Sequence, residues 1–120
     1  MAHVASLFAD SGAIAIVSVI SPYEVDRQVA RSIHEGGELE FLEVFVNTPL
    51  DECERRDPKG LYARARAGKI TGLTGVDAPY EPPRDADLVL HPCDRELEDL
   101  VEELVAELRS RGVLGDPRVS

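Results

Sequence analysis

Six basic side chains, Arg55, Arg56, Lys59, Arg64, Arg66 and Lys69, fall within fifteen residues that contain one acid, Asp57, in a chain whose formal net charge is -10. A cationic island on an anionic protein focuses its field on small anions while long polyanions are repelled. Phosphorylated or sulfated metabolites are therefore the partners this pattern favours, and nucleic acid and anionic membrane are not. On charge alone, a solvated basic face is the alternative. The setting argues for function, because residues 57–86 hold four of the eight prolines and four of the nine glycines around a helical piece from Leu61 to Ala67. Long ordered loops of this kind in compact domains commonly act as lids. The acidic stretch Asp94 to Glu107, with seven acids and one base, needs no function: it reads as the solvent side of a final helix.

A second candidate is Ser21, just past an apolar run that reads as a buried strand, at the sheet edge where open α/β folds bind ligands. A serine nucleophile needs an activating base within hydrogen-bond reach, and the neighbouring sequence offers none, which favours a positioning role; a serine capping the next helix is the plainer alternative. Phosphate-cradling loops carry Gly-x-x-x-x-Gly-Lys-Ser/Thr. The Gly68-Lys69 pair is followed by Ile70 and has Ala63 in place of the upstream glycine, so these residues contain no such loop. Cys53 and Cys93 stand 40 positions apart without a Cys-x-x-Cys pattern and read as plain buried thiols, and His3, His34 and His91 are unlinked, so no metal site is expected.

These residues need elements to hold them, and 120 residues with 43% apolar content suffice for one domain with one core. Val4, Leu7 and Phe8 predict a helix over residues 2–11 stopped by Gly12. Val25, Val29 and Ile33 predict another, ended by Gly36-Gly37. Thr48-Pro49 opens a helix running to about Arg56, and Leu97, Leu100, Val101, Leu104, Val105 and Leu108 stripe a last one before Gly112. Ala13 to Ile20 is a β-branched run without polar alternation, the pattern of a strand buried on both faces; Phe41 to Val46 and Ala86 to Leu90 are the second and third strands. The alternation predicts an α/β fold with a mostly parallel sheet and helices on both faces. The eight-residue apolar run is too short to span a bilayer, and the first residues lack the features of a secretory signal, so a cytoplasmic location is expected.

Three stretches together resemble the adenylylsulfate kinases: Ile20-Ser21-Pro22-Tyr23 with Asp26-Arg27; Glu43 to Leu50; and Asp57-Pro58-Lys59-Gly60-Leu61-Tyr62 through Ala65-Arg66-Ala67-Gly68 to Thr74-Gly75-Val76-Asp77-Ala78-Pro79-Tyr80-Glu81. The resemblance implies a P-loop kinase-like fold and transfer of the ATP γ-phosphoryl, with Mg²⁺, to the 3'-hydroxyl of adenosine 5'-phosphosulfate in sulfate activation. It further implies a homodimer. By the same resemblance Ile20, Ser21, Arg27, Lys59, Gly72 and Leu73 bind the sulfate nucleotide, Ser21 is the catalytic position described as a phosphoserine intermediate, and Arg66 lies near ATP. Leu73 stands where the family usually carries a phenylalanine over the substrate adenine, and Asn47 replaces a common aspartate. The family's phosphate loop precedes the region that matches here, so the chain resembles the later part of such a kinase. A catalytically inactive chain that binds sulfate nucleotide, or pairs with a complete enzyme, is the alternative.

Overall fold

The computed structural model describes residues 1–115, with elements in the order α1 (Ala2–Asp10), α2 (Glu24–Gly36), β1 (Val44–Val46), α3 (Leu50–Arg56), α4 (Leu61–Arg66), β2 (Leu88–Leu90) and α5 (Leu97–Ser110). The backbone groups into two compact units, one of residues 1–41 and 54–84, the other of residues 42–53 and 85–115. Among the described residues no helix is long and apolar enough to cross a membrane.

In the first unit α1 packs on α2. α2 carries Glu24 and Asp26 in its first turn, acids placed to complement the helix dipole, and Gly37 ends it. The expected apolar stripe is not what α2 buries: Val25 is 66% exposed and Val29 54%, whereas Arg27 and His34 are the buried residues. Polar partners decide this face. The His34 ring lies 5.1 Å from that of Phe41, its Nδ1 is 2.8 Å from the Ala30 carbonyl oxygen, and the Arg31 guanidinium sits 5.0 Å from the Phe41 centroid. On α1 the residues whose spacing predicts the helix, Val4, Leu7 and Phe8, are likewise exposed, and Ala5 alone is buried.

The run from Ala13 to Ile20, expected to be a strand buried on both faces, forms no strand and is exposed throughout. The correction has a plain cause. Burial of such a run is supplied by a hydrogen-bonded strand beside it and helices above and below, and no described strand pairs with it.

In the second unit β1 and β2 pair in parallel, Val44 with Leu88, Phe45 with Val89 and Val46 with Leu90. Asn47 N–H donates to the Leu90 carbonyl at 2.8 Å, and the Glu43 N–H donates to the Asp87 carboxylate at 2.7 Å. The ladder is shorter than the predicted spans. α5 lies against β2 and buries Leu100, with Leu104, Val105 and Leu108 half-buried, but Leu97 and Val101 face outward. Arg111 pins the end of α5 by ion pairs to Glu107 at 2.7 Å and Asp87 at 3.5 Å.

Candidate functional site

All seven predicted site residues belong to the first unit. Ser21 is half-buried and takes a left-handed φ of 44°, uncommon for a residue with a side chain. It does not cap α2. Tyr23 occupies the cap position, and the amide of Glu24 donates at 2.8 Å to the carboxylate of Glu81, 57 residues away. The hydrogen bond at Ser21 is to its backbone: its carbonyl oxygen accepts from the Arg27 guanidinium. Ile20 beside it is exposed.

Arg27 is 7% exposed, and both of its terminal nitrogens donate to protein groups. One terminal nitrogen donates to the Ser21 carbonyl at 2.6 Å. The other donates to the Glu24 carboxylate at 2.6 Å and to the Glu81 carbonyl at 2.7 Å. Hydrogen bonds from Gln28 and then Arg27, together with the charge of Arg84, hold the Glu24 carboxyl below the usual glutamate range. Ser21 and Arg27, paired by the sequence reading, are thus brought together, with the guanidinium on the backbone of the serine.

Lys59 is exposed in the turn before α4. Gly60, with a left-handed φ of 64°, is the N-cap of that helix, and the Asp57 carboxylate accepts the amides of Tyr62 and Ala63 at 3.1 Å each. Arg66 at its far end is paired with Glu54 at 2.5 Å, which raises the guanidinium pKa above its ordinary value. The cationic island therefore presents Lys59 outward, while Arg66 already has a carboxylate partner. Gly72, with φ 74°, and Leu73 sit in a loop held by one side chain: the Asp77 carboxylate accepts both their amides at 2.7 Å. Leu73 is half-buried.

Each in its own segment, the predicted residues give a left-handed turn at Ser21, an exposed ammonium at Lys59 and a Leu73 amide held by Asp77. The profile of the adenylylsulphate kinase family matches residues 1–91. The chain belongs to the adenylylsulphate kinase family. It is 49% identical over 110 residues to the bifunctional enzyme CysN/CysC of Mycobacterium tuberculosis, covering 92% of this chain and 18% of that protein. It is 58% identical over 88 residues to the chloroplastic adenylyl-sulfate kinase 4 of Arabidopsis thaliana, covering 73% of this chain and 28% of that one. Among solved structures it resembles the M. tuberculosis APS kinase CysC in complex with AMPPNP and APS, at a TM-score of 0.87 and 49% identity over 90% of this chain and 62% of that one. The chain thus spans about a fifth to a third of these curated kinase relatives. The likeness fixes the α/β P-loop kinase fold over the matched part, which the exposed run at residues 13–20 alone would not reveal.

Three contributors escaped the sequence reading as functional residues. Glu81, Asp77 and Glu54 each act on a predicted site residue. Asp77 follows Gly72 by five positions in a Gly-rich turn, a local signal for a carboxylate accepting nearby amides. Glu81 lies 54 positions from Arg27, and nothing local links the two.

Proposed function

We propose that this chain is the sulfate-nucleotide-binding and lid-bearing part of an adenylylsulfate kinase. In the reaction the 3'-oxygen of adenosine 5'-phosphosulfate bonds to the γ-phosphorus of ATP, the bond from that phosphorus to the ADP oxygen breaks, and the hydroxyl proton is released. The observation that carries the reading is the family match together with the likeness to a kinase solved with AMPPNP and APS. On this reading the Ile20-Ser21 turn positions the nucleotide, Lys59 contacts its anionic groups, Gly72 and Leu73 lie over the adenine, and Arg66 leaves Glu54 for an ATP phosphate. Ser21 acts by position rather than by covalent attack. A homodimer and a cytoplasmic location belong to the same proposal.

Mg²⁺ accompanies ATP in such transfers, bound largely by phosphate oxygens and water. Among the described residues no group of three His, Cys, Asp or Glu side chains is gathered to hold a metal ion. The missing Gly-x-x-x-x-Gly-Lys signature favours a second reading for these 120 residues taken alone: nucleotide binding without turnover.

Titration calorimetry with adenosine 5'-phosphosulfate at two salt concentrations, beside a coupled kinase assay, tests both. Binding weakens with salt because the contacts are ionic. Lys59→Ala costs about tenfold in affinity, the scale of one charge-assisted hydrogen bond. The chain alone turns over far below the usual enzyme rates of about 1 s⁻¹ and faster. Undiminished binding in Lys59→Ala removes that lysine from the site, and rapid turnover refutes the second reading.

A further inference from the structure

Three contacts join the segment after Ser21 to residue 81, and two more tie Arg27 to Ser21 and Glu24. The Glu81 N–H donates to the Pro22 carbonyl at 2.8 Å, and the Glu24 N–H to the Glu81 carboxylate at 2.8 Å. Arg27 donates at 2.6 Å to the Ser21 carbonyl, at 2.7 Å to the Glu81 carbonyl and at 2.6 Å to Glu24. The residue they enclose, Ser21, is in a left-handed backbone conformation that L side chains rarely adopt and that persists only where its surroundings over-determine it. A buried guanidinium bound to two carbonyl oxygens from distant parts of the chain is such a determinant, because its planar fork fixes both at once.

We infer that Arg27 and Glu81 are positioning residues: together they form a clasp that holds the Ser21 turn in its left-handed shape and ties it to the end of the 57–86 segment. The inference rests on the proposed role of that turn in binding sulfate nucleotide. It replaces direct contact between Arg27 and substrate with action through the Ser21 carbonyl. It also couples the far end of the loop segment to the turn, so displacement of residue 81 releases the conformation of Ser21.

The test uses the whole chain and two readouts. Without ligand, hydrogen exchange followed by NMR reports the amides of Glu24 and Glu81. In Arg27→Lys, which keeps the charge but not the fork, both exchange at least tenfold faster while amides of α5 are unchanged. Glu81→Gln, which retains a side-chain oxygen, keeps the Glu24 amide protected, whereas Glu81→Ala does not; these two variants carry the test if Arg27→Lys fails to fold. Unchanged exchange in Arg27→Lys and Glu81→Ala, or equal acceleration at α5, overturns the clasp. With adenosine 5'-phosphosulfate, calorimetry closes a double-mutant cycle. Arg27→Lys lowers affinity about tenfold, but lowers it little further once Ser21→Gly has made the left-handed turn free of strain. Strictly additive losses make Arg27 a direct ligand and overturn the inference. Absence of binding by the unmodified chain, with the exchange pattern as expected, overturns the proposed function and leaves the clasp standing.

Discussion

Leu73 sets the terms at the residue scale, because its backbone and its side chain answer to different masters. The amide is fixed by Asp77 at 2.7 Å, so the position of the Cβ is settled, while the side chain is half-buried and free of the deep core. A ring at this position supplies a π face, and stacking of an aromatic on a base is worth roughly 1 to 3 kcal/mol in nucleic-acid systems. Leu73→Phe is accordingly expected to tighten adenosine 5'-phosphosulfate binding about tenfold for each ~1.4 kcal/mol recovered. Overpacking would instead cost about 1 to 3 kcal/mol of stability. Calorimetry and a melting curve on the same variant separate the two, and a lower melting temperature without a gain in affinity rules stacking out. Arg27 shows the opposite case. The family resemblance implies a substrate-binding guanidinium, with pairing to a carboxylate the alternative on the residues alone, and only the fold shows that its donors reach Ser21, Glu24 and Glu81.

At the scale of elements, the loop of residues 72–78 is a small unit held by Asp77, with a backbone bridge between Thr74 and Ala78 across its neck. Asp77→Ala removes two charge-assisted hydrogen bonds in an exposed setting, an expected loss of about 1 kcal/mol. The amides of Gly72 and Leu73 should then exchange faster, and Asp77→Asn should restore part of the protection through its remaining oxygen. Equal exchange in Asp77→Ala and the unmodified chain would show that the loop holds itself. The helices were legible in the sequence to within a residue or two at most ends, because acidic first turns and terminal glycines act locally: α2 opens on Glu24 and Asp26 and gives way at Gly37. The strands were less legible. Val44–Val46 and Leu88–Leu90 lie inside their predicted spans, but residues 13–20 form no strand, since the partner that makes an apolar run a strand is never written in the run itself. The facing of α2 was missed for a related reason, as its buried side is chosen by Arg27, whose partner Glu81 lies 54 residues away, and by His34 against Phe41.

Taken whole, the molecule buries little. Among the described residues no side chain is less than 2% exposed, while Ile16 is 86% exposed, and Val4, Leu7, Phe8, Val25 and Val29 also face outward. Apolar area left in water contributes nothing to stability, so the isolated chain should fold marginally and associate. The run from Ala13 to Ile20 is the strongest candidate for the sticky surface: it is rich in β-branched residues, carries no charge and pairs with no described strand, the combination that templates strand addition from another copy. Ile16→Lys puts a charge in its middle at a position where, by its exposure, the folded chain loses nothing. A substitution there should change stability by at most about 0.5 kcal/mol, and so shift the melting temperature by no more than about 4 °C. Light scattering across a concentration series should show association beginning at a severalfold higher concentration, as charged residues inside apolar strands do for aggregation-prone segments. A much larger fall in melting temperature would mean that Ile16 is covered in the folded chain. Unchanged scattering would move the associating surface to the outward faces of α1 and α2.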